Sequence, residues 1–133
     1  MKPALPLCAI LLWGWPLGVT AQMMDCDAAL SQADMTHCAV QDFQSADADL
    51  NAAYKTARDG MRRIDAGLPA SERGAEMALR DAQRAWISFR DQACKAEGYL
   101  MHGGSAEPMV VYGCMARLTQ QRATDLAALG EPS

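Results

Sequence analysis

Four cysteines follow the first 21 residues of this chain, and they constrain its fold more than any other feature. A short sequence with an even number of cysteines is typical of exported proteins, in which pairs of thiols are oxidised to disulfides. We therefore predict two disulfides and no free thiol after residue 21. The cysteines are Cys26, Cys38, Cys94 and Cys114.

Residues 1–21 have the pattern of a secretory signal peptide. Lys2 precedes an apolar run over residues 4–19, and residues 19–21 follow the small-x-small pattern that signal peptidase cuts. Prolines and glycines interrupt the run, which falls short of the ~20 apolar residues of a membrane helix. We expect cleavage before Gln22, a periplasmic or secreted product, and no stable membrane anchor after cleavage.

The mature chain, residues 22–133, is long enough for a single domain and too short for two. Removing Lys2 from the 12 basic residues leaves 11 against 16 acidic ones, which is a net charge of −5. This charge argues against nucleic acid and anionic lipid as partners, and it favours a cationic partner.

Apolar residues recur in steps of three and four along three segments, which predicts three amphipathic helices and no sheet. The first helix begins after Ser31 with a capping-box pattern and ends before residues 66–69. The second runs from about Ser71 to Glu97, and the third from Pro108 to about residue 129. On the second helix, the apolar stripe expected to face the core comprises Ala75, Leu79, Ala82, Trp86, Phe89 and Ala93.

Short connections between these helices predict an all-α fold with an up-down-up three-helix arrangement. All four cysteines then lie at one end of the domain, so the topology alone allows each of the three possible pairings. Local order along the chain favours Cys26–Cys38 and Cys94–Cys114. Each disulfide is expected to contribute ~3 kcal/mol to the free energy of unfolding in the chain-entropy model.

The sequence offers no recognisable grouping for catalysis or metal binding. It has no C-x-x-C pair, and His37 and His102 lack the paired spacing of zinc ligands. Neither a nucleophile with its base nor two poised carboxylates can be assembled. We therefore predict no catalytic residue, no metal site and no cofactor, and we expect a binding protein rather than an enzyme.

Arg122 interrupts the apolar stripe of the third helix between Leu118 and Leu126. A partly buried charge needs a partner, and Asp47 on the first helix lies at a similar height above the cysteines. Asn51 follows Asp47 by one turn. We predict a polar clasp of Asp47, Asn51 and Arg122 that fixes how the helices pack.

The loop of residues 98–107 joins the second and third helices at the predicted disulfide end. It is interpreted either as a simple glycine turn or as a preorganised recognition loop. The second interpretation rests on the disulfides, because they reduce the entropy that a binding loop loses on docking. The candidate binding residues are Tyr99, His102, Gly103, Gly104 and Ser105.

Specific strings within residues 46–54, 82–94, 103–105 and 118–122 carry a family resemblance, together with the four cysteines. They resemble the amino-terminal domain of the LprI-type lysozyme inhibitor family, over nearly all of the mature chain. The resemblance implies an exported, helical, disulfide-bonded bacterial domain whose protein partner is lysozyme. Lysozyme is basic, and its cleft holds two carboxylates. The implied mode of binding docks the acidic surface and the 98–107 loop at that cleft, with Glu107 facing away.

The alternative is a periplasmic interaction or scaffold protein without lysozyme activity. The first helix spans ~50 Å against ~33 Å for the third, so the far end of the hairpin between the first two helices would project beyond it. An exposed apolar patch there would favour this alternative. The residues concerned are Met61, Ile64, Leu68 and Met77.

Overall fold

The computed structural model describes residues 25–130, so the predicted signal peptide lies outside the described residues. Three long helices account for most of this range: α1 (Gln32–Gly67), α2 (Ala75–Gly98) and α3 (Glu107–Gly130). Short 3-10 turns at Cys26–Ala28, Ala70–Glu72 and Tyr99–Met101 lie outside them. No strand occurs within residues 25–130, and the predicted all-α fold is confirmed.

The start of α1 is the capping box that the sequence predicts. The Ser31 hydroxyl accepts the Asp34 backbone N–H at 3.1 Å, and the Asp34 carboxylate accepts the Ser31 N–H at 3.3 Å. Two otherwise unpaired backbone donors of the first turn are satisfied in this way. The helix therefore begins where its sequence specifies.

The helices run up, down and up, as predicted. Side chains near the starts of α1 and α3 meet, with the ring centroids of Phe43 and Tyr112 6.1 Å apart. The ends of the same two helices also meet, at Gly60 and Gly130. In contrast, α2 is antiparallel to α1, because the end of α1 contacts the start of α2 through the 2.9 Å ion pair of Arg58 with Glu76.

The core lies where α1 and α3 approach most closely, with α2 covering one side. A Cβ atom placed on Gly130 would lie 2.7 Å from Cγ2 of Thr56, so the two backbones leave no room for a side chain there. Trp86 of α2 and Tyr54 of α1 are half-buried against this core. The buried cluster comprises Leu50, Ala57, Leu79, Ala123 and Leu126.

The buried face of α2 differs from the predicted stripe. Two of its predicted core residues, Ala82 and Phe89, are exposed, whereas the neighbouring Gln83 and Arg90 are buried. Burial of Gln83 and Arg90 is tolerated because both side chains find hydrogen-bonding partners on α3. A pattern that counts only apolar residues therefore identifies Leu79 and Trp86 correctly but rotates the predicted core face away from Gln83 and Arg90. The buried stripe is Leu79, Gln83, Arg90 and Cys94, with Trp86 half-buried beside it.

Both predicted disulfides are present, with the predicted pairing. Cys26 bonds to Cys38 and Cys94 to Cys114, with Cα–Cα distances of 5.7 and 5.4 Å. Cys94 and Cys114 are buried between α2 and α3, whereas Cys26 is exposed in the segment before α1. The two bridges share one end of the domain, but only the second crosslinks two long helices.

The end of α1 supplies the cap for the start of α2. The Asp65 carboxylate accepts three backbone N–H groups of the next helix, those of Gly74 and Ala75 at 2.8 Å and that of Glu76 at 3.1 Å. These hydrogen bonds, that of Gly74 foremost, lower the pKa of Asp65 below its ordinary value of 3.8. The carboxylate also lies near the positive end of the helix dipole.

Neutralising Asp65 is expected to weaken the domain in a pH-dependent way. A lowered pKa in the folded state adds stability above pH 3.8, and this stability is lost as the pH falls through the folded-state value. The Tm of Asp65→Asn should therefore lie below that of the wild type at neutral pH, and the two values should converge in acid. Asp59→Asn, which removes a carboxylate from an exposed ion pair with Arg62, is the matched control. A constant Tm difference across the pH range would contradict the assignment.

Candidate functional site

A groove opens beside the connection between α2 and α3, at the disulfide-bonded end of the domain. Its volume is about 650 Å³. Apolar side chains of α1 and α3 form its walls, and the backbone of the loop forms its rim. The lining residues are Phe43, Gly103, Gly104, Glu107, Pro108, Val111, Tyr112 and Met115. Such a groove accommodates an apolar side chain at a polar edge.

The loop that forms the rim is fixed at its base. The Cys94–Cys114 disulfide joins the helices on either side of it. Gly98 ends α2 against Val111, and a Cβ on this glycine would lie 2.5 Å from Cγ2 of Val111. At its tip Gly103 has φ +77°, a left-handed conformation that favours glycine. The loop therefore has a defined shape before any partner binds.

The side chain of Glu107 points back into this loop. Its carboxylate accepts the Gly103 backbone N–H at 2.8 Å and lies 3.3 Å from Nδ1 of His102. The hydrogen bond from Gly103, followed by that from His102, holds the pKa of Glu107 below its ordinary value. Glu107 thus organises the loop tip and engages two of the donors that the sequence assigns to partner binding. The sequence signal for this role is its position in the first turn of α3, where a carboxylate can accept backbone N–H groups.

The structure brings all five candidate binding residues together in this loop, but their hydrogen-bonding groups are not equally available. The Gly104 N–H is donated to the Met101 carbonyl at 2.9 Å. Tyr99 stacks on His102, with ring centroids 4.7 Å apart, and both side chains are exposed, as is Ser105. The side chains therefore offer a partner more than the glycine amides do.

The residues of the predicted polar clasp have different partners from those expected. Asn51 donates to Asp47 at 3.1 Å, as the prediction requires. Arg122, however, donates to the amide oxygen of the buried Gln83 at 3.1 Å. The guanidinium that approaches Asp47, at 3.8 Å, is that of Arg90 on α2. The heights of residues along α1 and α3 do not by themselves show that the cation nearest Asp47 comes from α2.

Arg90 is the central polar residue of the interior, although the sequence pattern places it outside the apolar stripe of α2. Its guanidinium lies 5.1 Å from the ring centroid of Phe43 and 5.3 Å from that of Trp86. It donates to Thr119 at 3.3 Å and pairs with Asp91 at 2.8 Å. Since Phe43 also lines the groove, these contacts support one wall of it. The available signal was the spacing Trp86-x-x-x-Arg90, which puts both residues on one helical face.

Within residues 25–130, no group of three or more His, Cys, Asp or Glu side chains is placed to hold a metal ion. No helix in that range is both long and apolar enough to cross a membrane.

The chain is similar to known proteins over most of its length. A family model described as "Lysozyme inhibitor LprI" matches residues 24–126. An uncharacterised protein of Rhizobium meliloti (strain 1021) is 42% identical over 135 residues, which covers 98% of this chain and 97% of that protein.

The fold is also similar to a solved structure. A crystal structure of a DUF1311 family protein from Pseudomonas putida matches with a TM-score of 0.65 and 27% sequence identity. The match covers 78% of this chain and 97% of the other. The three-helix architecture is therefore found in an independently solved protein.

Proposed function

Because this chain belongs to the LprI lysozyme inhibitor family, we propose that it is an exported, periplasmic or secreted domain that inhibits lysozyme. The observation that carries the proposal is the groove at the disulfide-bonded end, with the ordered 98–107 loop as its rim. A preformed loop loses less entropy on docking than a flexible one. Inhibition would follow from steric closure of the lysozyme cleft, without any chemical step on this chain.

The exposed side chains of the loop are the groups that would meet the two carboxylates of the cleft. Tyr99 and Ser105 each carry a hydroxyl donor on an exposed side chain, and the exposed ring of His102, whose Nδ1 faces Glu107, presents its other nitrogen. Hydrogen bonds to a charged acceptor are stronger than neutral ones, which favours this pairing. The amides of Gly103 and Gly104 are already engaged, so they would shape the loop rather than bind the target.

The net charge of the mature chain supports a basic partner. A charge of −5, after removal of Lys2, would attract a cationic protein over distances of about a Debye length. This attraction would raise the association rate more than it strengthens the final complex. Inhibition by this mechanism should therefore weaken as the salt concentration rises.

Titration of the mature domain against lysozyme acting on peptidoglycan tests the proposal. We expect inhibition by the wild type, and inhibition at least about tenfold weaker for the His102→Ala/Ser105→Ala double variant, equivalent to about 1.4 kcal/mol. The matched control is His37→Ala/Ser45→Ala, which removes the same two side-chain types from exposed positions on α1. The control should inhibit like the wild type.

Two results would count against the proposal in different ways. An absence of inhibition by the wild type at tens of micromolar, on the order of −6 kcal/mol of binding free energy, would reject lysozyme as the target. Equal inhibition by the wild type and the loop variant would keep the activity but reject the loop as its site.

An interaction or scaffold protein without lysozyme activity is the second candidate. The observation in its favour is the far end of the α1–α2 hairpin, where Ile64 and Met77 are 50% and 55% exposed. Met61 and Leu68, from the same predicted patch, are half-buried. Binding of an envelope protein that is abolished by Met77→Glu, with no effect of the domain on lysozyme, would favour this candidate.

A further inference from the structure

The outward face of α2 is apolar along its whole length. Its positions follow one another in steps of three and four, so they lie on a single helical face. This face is about a quarter-turn from the buried stripe that begins at Leu79. Phe89 and Leu100, its two large residues, are 61% and 78% exposed. The face comprises the exposed residues Ala78, Ala82, Ala85, Phe89 and Ala96 and the half-buried Ala93 of α2, and it is continued by the exposed Leu100 in the 3-10 turn that follows.

The core of the domain is formed without this face of α2. Leu79 and Cys94 occupy the buried stripe with Gln83 and Arg90 between them, and the latter two are satisfied by contacts to α3. The result is a helix with one face packed inside and a second apolar face without a partner in the described chain. A contiguous exposed apolar face of this kind is a candidate interaction surface.

The order of residues on this face is symmetric about Phe89. Ala85 and Ala93 are equidistant from Phe89, and so are Ala82 and Ala96. The outermost pair, Ala78 and Leu100, is equidistant as well. A two-fold interface requires that residue i meets residue j while j meets i, and this spacing meets that requirement for two antiparallel copies of α2.

We propose that the outward face of α2 binds a second copy of this chain, in an antiparallel arrangement with its two-fold axis at Phe89. The phenyl ring of Phe89 lies against the partner's Phe89. Ala82 lies against the partner's Ala96, and their small side chains allow the helices to approach closely. Leu100 covers the partner's Ala78 at each end.

Charges beside the face select the antiparallel arrangement. Asp81 and Lys95 are exposed on the same side of the stripe, at similar distances before and after Phe89. In the antiparallel pair Asp81 approaches the partner's Lys95, whereas in a parallel pair the 14 residues between these two positions would keep them about 21 Å apart along the axis. The side chain of Asp81 also contacts Arg80 at 3.4 Å. An exposed ion pair of this kind is weak, so Asp81 can leave Arg80 and pair with the partner's Lys95.

The size of the face predicts a weak dimer. Residues 78–100 span about 33 Å, and a helix is about 10 Å wide, so roughly 300 Å² of each copy would be covered. A standard interface covers about 800 Å² per partner. The dimer should therefore form only at high local concentration. None of the groove-lining residues lies on α2, so both grooves stay open in the dimer.

Sedimentation velocity over about 10 μM to about 1 mM protein tests the dimer. The wild type should shift from monomer towards dimer, and Phe89→Glu should raise the dissociation constant at least tenfold. Ile87→Glu is the control, because Ile87 is 41% exposed on nearly the opposite side of α2. A wild type that stays monomeric throughout, or an Ile87→Glu variant as impaired as Phe89→Glu, would overturn the proposal.

Disulfide trapping tests the geometry independently of affinity. Phe89→Cys should crosslink to itself, since it lies at the two-fold axis. Ala82→Cys should crosslink to Ala96→Cys in a mixture but not to itself, because two copies of residue 82 would lie about 21 Å apart. Efficient self-crosslinking of Ala82→Cys would reject the antiparallel arrangement. Since these positions are exposed or half-buried, the variants should retain the helical circular dichroism of the wild type.

Discussion

Replacing Cys94 and Cys114 together by alanine is expected to lower the free energy of unfolding by about 3 kcal/mol. The bond closes a loop with a sequence separation of 20. Without it, the unfolded chain gains the entropy of that open loop. The folded chain gains little in exchange, because both cysteines are buried between well-ordered helices. Urea unfolding with linear extrapolation measures the difference.

The Cys26→Ala/Cys38→Ala variant is the control for this expectation, and it should lose less stability. Its disulfide attaches a short segment in which Cys26 is exposed and Leu30 is 93% exposed. When the bond is removed this segment can fray in the folded state, which offsets part of the entropy gained on unfolding. Equal losses for the two double variants would show that the segment before α1 is held by contacts other than its disulfide.

Replacing Arg90 by alanine is expected to cost about 3 kcal/mol as well, for a different reason. The variant loses two cation–π contacts, with Phe43 and Trp86, and the hydrogen bond to Thr119. It also leaves unfilled space between the two rings. Asp47 and Asp91 are partly exposed, so their carboxylates remain solvated and add little to the loss.

Two substitutions separate the contributions of Arg90. Arg90→Met keeps much of the side-chain volume but removes the charge, and it should recover about half of the stability lost in Arg90→Ala. Arg84→Ala, on an exposed position of the same helix, should change the free energy of unfolding by less than about 0.5 kcal/mol. If Arg90→Ala were as mild as Arg84→Ala, the buried guanidinium would not stabilise the fold.

The sequence predicts the architecture well because local signals specify it. The capping box at Ser31, the repeated steps of three and four, and the short connections together yield three helices in the observed order. Proximity along the chain was sufficient to select both disulfide pairs. These features depend on neighbours in sequence, which a single chain reveals directly.

The polar interior is predicted less well because it depends on pairs of distant residues. Gln83 and Arg90 are counted as surface residues until their partners on α3 are known. For the same reason, the sequence predicts Asp47 rather than Gln83 as the partner of Arg122. At the candidate site, the role of Glu107 is equally hard to predict, because it depends on the fold of the loop that precedes it.

The close contact of Gly130 with Thr56 has a consequence for biogenesis. Of the three helices, α3, which completes the core, is synthesised last, and its partner α1 is synthesised first. An exported chain would therefore cross the membrane with α1 exposed first, and the domain could not finish folding until α3 emerged. Such dependence on distant contacts slows folding and prolongs exposure of apolar surface. A holding chaperone would be most useful to an exported chain during that interval.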